Sequence, residues 1–237
     1  MGTPPLQQTH ILVVGPDRLA LHLSELGAVV GLLGVSTRIV ADDPDSDGLD
    51  AAQISTQIST QMRTQMAQFN ALLPQYDLVV LADLPRGGLQ NVSAMISAVK
   101  GAGKHVLVHP RPGDLLAYAG ASLLIQRDAE LEGIPGQWRM EGNPAKRMQA
   151  LREQAGIESL LVTHQDGRMM LYTERQTTQF PMPESRGKRT RRSDTLTAIL
   201  AALMAAGRSV GDAMAMLGGV VTGRQTPANV APGELFA

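Results

Sequence analysis

The feature that most limits this chain is a set of short runs that are apolar at nearly every position. They are Ile11-Leu12-Val13-Val14, Leu78-Val79-Val80-Leu81-Ala82, Val106-Leu107-Val108, Ala121 to Ile125 and Leu160-Leu161-Val162. A strand apolar on both faces is covered on both faces, which is the condition of a parallel sheet between layers of helix. The segments between the runs have helical spacing. Leu19 to Leu26 stops at Gly27, Asn91 to Ala102 at Gly103, and Pro144 to Ala155 at Gly156. Helices are also expected over Thr195 to Ala206 and Val210 to Leu217. Ala28 to Val35 reads as a further strand that Thr37 to Val40 extends, and Asp166-Gly167 turns the chain into a hairpin strand, Met169 to Thr173. Strand and helix alternate, so the fold expected is an α/β sandwich around a mainly parallel sheet.

One segment repeats nearly every four residues, with Ile54, Ile58, Met62 and Met66 in step. That is close to one helical turn, so the four form a stripe that packs a helix on the core. The 237 residues are 43% hydrophobic, a globular composition with no break in it. One domain is expected over residues 1–237, with 1–9 and 222–237 peripheral. A net charge of −1 gives no overall pull toward nucleic acid or acidic membranes, and 3% aromatics leave little for base stacking. No apolar run approaches the roughly 20 residues of a membrane span. Cysteine is absent, which removes disulfides, thiolate nucleophiles and cysteine zinc sites. The lack of a signal-peptide pattern in residues 1–9 agrees with a cytoplasmic location.

The most charged stretch is Arg186-Gly187-Lys188-Arg189-Thr190-Arg191-Arg192, five cations in seven residues, running into Ser193-Asp194-Thr195. Ser193 or Asp194 suits the N-cap of the helix that follows. A helix N-terminus offers free N–H groups to anions. Two readings stay open from these residues: a phosphate site, or a solvated basic loop. The strand Leu78 to Ala82 leads to Asp83, at the carboxyl edge of the expected sheet, where ligands bind in such folds.

The order of motifs resembles the ribokinase, or PfkB, family of sugar kinases, and above all the kinase domain of the bacterial heptose 7-phosphate kinases. Asp77-Leu-Val-Val-Leu-Ala-Asp83-Leu-Pro-Arg86-Gly87 is similar to the family's D-x-V-x-L-S-D-Y-x-K-G. Val106 to Asp114 resembles V-L-x-D-P-K-G-x-D, and Tyr118-Ala-Gly120-Ala121-Ser-Leu-Leu124 resembles Y-x-G-A-T-L-L. Arg127-Asp128-Ala129-Glu130 stands where the family has N-x-x-E, and Ser193-Asp194-Thr195 where it has G-A-G-D-T. Val230 to Leu235 is similar to its V-S-P-x-E-L ending.

The resemblance implies a three-layer α/β sandwich, a ribokinase-like core, with the family's β lid missing. It implies transfer of the γ-phosphate of ATP, with Mg2+, to a carbohydrate or sugar-phosphate hydroxyl. Asp194 would be the general base. Arg191, Arg192, Ser193 and Thr195 would form the anion site, Asp17, Asp83 and Arg86 would contact substrate, and Glu130 would act on the metal. Each has a plain alternative: Asp194 a helix cap, Glu130 a solvated carboxylate. The chain departs from the pattern where Arg191, Arg192 and Ser193 replace glycines, Lys188 and His109 replace aspartates, and Arg127 replaces asparagine. A second reading is therefore a non-catalytic relative that binds nucleotide or phosphosugar, or serves as partner to a kinase subunit or to its own copy. A third is an interaction protein that uses the basic loop for an acidic partner.

Overall fold

The computed structural model describes residues 9–15, 17–34, 51–83, 89, 91–113, 115–131, 143–181 and 189–221. Eight strands make one sheet: β1 (His10–Val14), β2 (Val29–Leu33), β3 (Leu78–Ala82), β4 (His105–His109), β5 (Leu123–Arg127), β6 (Ser159–Thr163), β7 (Arg168–Thr173) and β8 (Thr177–Pro181). Their order is β2-β1-β3-β4-β5-β6-β7-β8. The first six are parallel, and β7 and β8 add antiparallel at one side.

Among the described residues seven α-helices cover the two faces: α1 (Asp17–Glu25), α2 (Ala51–Leu72), α3 (Val92–Gly101), the single turn α4 (Asp128–Leu131), α5 (Pro144–Gln154), α6 (Arg189–Ala205) and α7 (Val210–Val221). Because side chains alternate across a strand, β1 splits its apolar run between two cores. Leu12 and Val14 join Phe69, Met95 and Leu151 under α2, α3 and α5. Ile11 and Val13 join Leu23, Ile199 and Met214 under α1, α6 and α7. This is the three-layer α/β sandwich expected, and each fully buried Leu or Ile contributes about 1.5–3 kcal/mol.

Three elements differ from the reading of the sequence. β8 was not expected: its exposed residues alternate with half-buried ones, as an edge strand does, and no apolar run marks it. α6 starts at Arg189, so neither Ser193 nor Asp194 is its N-cap. With arginines and a serine in place of glycines, nothing stops helix from propagating upstream, and arginine is a good helix former. The third difference is length: the near-repeat lies in a helix of 22 residues, in which Ile58, Met62 and Met66 are half-buried. Thr37 to Val40 lie outside the described residues, as do all of 1–9 and 222–237 except Thr9, which is buried and accepts the Val29 N–H rather than lying at the periphery.

The sheet order sets where a ligand can sit. From β1 the chain crosses to β2 on one side, and then returns to place β3 on the other. That reversal opens a crevice beyond the carboxyl ends of β1 and β3, the usual ligand position in open α/β sheets. At its base Gly15 (φ +151°) follows β1, and a Cβ there would lie 2.7 Å from the Cβ of Ala82. The two strand ends approach this closely because position 15 carries no side chain.

Candidate functional site

The crevice gathers the chemistry of the chain, because each parallel strand delivers its last residue to the same edge. β1 leads through Gly15 to Asp17 and Arg18, β3 ends beside Asp83, and β4 ends at His109 with Arg111 just beyond. β5 ends at Arg127, and α4 then carries Glu130. Asp194 reaches the edge from α6, which packs on α1.

Asp194 is 7% exposed. Its Oδ2 lies 3.1 Å from the Nε of Arg18, whose side chain is half exposed. Burial raises the Asp194 carboxyl above the ordinary carboxylate range, against the positive field of Arg18 and, when they are protonated, those of His109 and His22. His109 is shifted the other way. Burial lowers it, while Glu130 and Asp194 favour its proton and Arg127 and Arg18 oppose it. At neutral pH His109 is therefore an uncharged imidazole among charges of both signs.

Asp83 is a different kind of carboxylate. Its side chain has no exposed surface. Leu89 donates its backbone N–H to Oδ1 at 2.7 Å, and the Tyr118 hydroxyl donates to Oδ2 at 2.7 Å. Arg111 Nε lies 3.5 Å from the same Oδ2, and the Arg111 backbone N–H donates to the Tyr118 oxygen at 3.2 Å. Burial and the bond to Asp83 both push the Tyr118 hydroxyl well above the usual phenol range. Asp83 thus ties the ends of β3 and β4 together.

Glu130 is held by its neighbour: Arg127 donates from Nε to Oε1 at 2.7 Å, from Nη2 to the same oxygen, and from its backbone N–H to Oε2 at 3.3 Å. Among the described residues no group of three or more His, Asp or Glu side chains converges as a metal site. Mg2+ takes oxygen ligands, and Glu130, the carboxylate the resemblance gives to the metal, is engaged by the Arg127 cation.

Of the residues singled out from the sequence, Asp83, Asp194 and Glu130 come to this one edge. Asp17 is the exposed first residue of α1, and Thr195 follows Asp194 in α6. Arg191, Arg192 and Ser193 lie in the first turns of α6, described by backbone alone, and Arg86 lies outside the described residues. The free N–H groups of a helix are its first four. Here they belong to residues 189–192, which precede Asp194 by two to five residues, roughly 3 to 7 Å along the axis at 1.5 Å per residue. Sequence reasoning passed over Arg18, His22 and the Arg111–Tyr118 pair. Arg111 and Tyr118 each carried a signal, as parts of the V-L-x-D-P-K-G-x-D and Y-x-G-A motifs.

No family model matches the chain. Over 171 residues it is 34% identical to D-beta-D-heptose 7-phosphate kinase of Bordetella bronchiseptica, covering 69% of this chain and 53% of that one. It is 35% identical over 177 residues to the bifunctional protein HldE of Methylococcus capsulatus, covering 72% of this chain and 37% of that protein. The chain thus spans about half the length of the first relative and less of the second. Among solved structures, phosphofructokinase-2 from Escherichia coli in complex with potassium matches with a TM-score of 0.56 at 14% identity, over 96% of this chain and 79% of that one. That likeness speaks for a ribokinase-like fold, and the sequence matches show that about 70% of this chain is kin to the heptose 7-phosphate kinases.

Proposed function

We propose that this chain is a divergent sugar-phosphate kinase that works far below the rate its relatives need. The observation that carries the reading is Asp194, a nearly buried carboxylate at the switch-point crevice, raised toward working pH by burial. A base with its proton affinity moved in that direction is better matched to accepting a proton from a sugar hydroxyl. Asp194 takes that proton as the hydroxyl oxygen bonds to the γ-phosphorus of ATP. The bond from that phosphorus to the β,γ-bridging oxygen breaks, and ADP leaves. The chain's own contribution is to orient the hydroxyl at Asp194 and to present positive charge from Arg18 and Arg111. Positioning and charge stabilisation carry most of phosphoryl transfer. Here the helix N–H groups are set back and Glu130 is closed by Arg127, so the rate is low.

A second reading has its own support. Both acidic groups that catalysis would use, Asp194 and Glu130, are ion-paired in the structure. That arrangement suits a relative that binds nucleotide or phosphosugar without turnover. ATP consumption is measured across a panel of sugars and sugar phosphates, with melting temperature followed in parallel. The kinase reading expects turnover that depends on one sugar phosphate and falls at least about 100-fold in Asp194→Asn. Stabilisation by ATP or a phosphosugar with no turnover selects the binding reading. Neither response sinks both.

A further inference from the structure

The Arg18–Asp194 pair joins a half-exposed cation to a nearly buried anion. Arg18 meets Asp194 through Nε at 3.1 Å. A guanidinium carries five donors in a flat fork, so several remain for a second acceptor on the open side. The fork stands on a firm base. Leu19, Ala20 and Leu23, on the turns after Arg18, are buried in one cluster with Leu196, Ile199 and Leu200 of α6. The two ends of the ion pair are therefore carried by helices locked against each other. Arg18 also stands just past the close approach of Gly15 to Ala82, at the mouth of the crevice.

We propose that Arg18 is the specificity-determining residue of this site: it holds Asp194 in an ion pair and gives it up only to a ligand that carries a phosphate. The inference rests on Asp194 as the proton acceptor. A phosphate dianion offers more charge and more acceptor oxygens to the fork than one carboxylate does, so it competes for Arg18 where a neutral sugar does not. Once Arg18 turns to the phosphate, Asp194 keeps two other groups near it, His22 on α1 and His109 at the end of β4. Loss of an opposite charge raises the proton affinity of a carboxyl. Ligand recognition and activation of the base are then one event.

The test follows the Asp194 carboxyl carbon by NMR in protein labelled with 13C-aspartate, assigned through Asp194→Asn. Inorganic phosphate and a panel of sugar phosphates are added at constant ionic strength, and melting temperature is read on the same samples. Phosphate is expected to raise the melting temperature and to move the Asp194 titration upward by about one pH unit. Arg18→Gln is expected to titrate at the raised position without phosphate and to bind phosphate about 10-fold more weakly. Arg18→Lys, which keeps charge without the fork, falls between. If phosphate stabilises wild type and Arg18→Gln alike while Asp194 does not move, the pair is structural only; the gate is overturned and the reading of the site as a phosphate binder stands. If no phosphorylated compound stabilises the protein, both fall.

Discussion

Asp83 and Asp194 stand at the same sheet edge, and both are nearly inaccessible, yet they are built for opposite ends. Asp83 has a donor on each oxygen: a backbone N–H on one, a tyrosine hydroxyl and a guanidinium on the other. Among the described residues Asp194 is paired with one guanidinium, and His109 and His22, when protonated, act on it through their fields. A carboxylate surrounded by fixed donors is a joint. One that is buried with a single removable partner is held in a state that costs free energy and can be changed by a ligand. Burial alone therefore does not distinguish structure from function at this edge; the number of committed donors does.

The contrast is sharpest in stability. Asp83→Ala should cost about 3 kcal/mol or more, because it strands the Leu89 N–H, the Tyr118 hydroxyl and Arg111 together. Urea unfolding checks this, and an Asp83→Ala variant as stable as Asp194→Ala would erase the distinction between the two. Asp194→Asn should go the other way, raising stability at neutral pH. A carboxyl whose folded affinity for protons is raised binds more protons folded than unfolded, so stability falls as pH rises from the ordinary carboxylate range through the folded value. The penalty is fully present above that folded value and absent below the unfolded one. The advantage of Asn should thus shrink as the solution is acidified, and an advantage independent of pH would show that Asp194 carries no such cost.

The smallest effect belongs to His109. Its affinity is lowered by burial, so the unfolded chain takes up the proton first as pH falls below 6.5. Stability contributed by the neutral imidazole is present above 6.5 and is lost as pH falls through the folded value. His109→Gln should flatten the decline in melting temperature across that window; an unchanged slope would place the acid sensitivity elsewhere.

Much of the fold was legible because parallel strands buried on both faces leave continuous apolar runs. β1, β3, β4, β5 and β6 were found this way. β8 was not, since an antiparallel edge strand shows water one face and needs no such run. The start of α6 was missed because Ser193 and Asp194 are residue types that favour an N-cap, while the arginines before them are helix formers that carry the helix upstream. At the site, Asp83 could be located from its position at a strand end, and Asp194 from the motif Ser193-Asp194-Thr195. Their difference could not, because it depends on partners brought in from distant segments: Leu89, Arg111 and Tyr118 for one, Arg18 for the other.

The close approach of Gly15 to Ala82 has a consequence for how this chain can vary. A methyl at position 15 would collide with the one already at 82, driving the end of β1 from the end of β3. An alanine at 15 therefore becomes more tolerable only after position 82 has shrunk to glycine, and even then the backbone conformation at 15 still disfavours a side chain. Positions 15 and 82 constrain each other, so the gap between the strands can be inherited only as a pair.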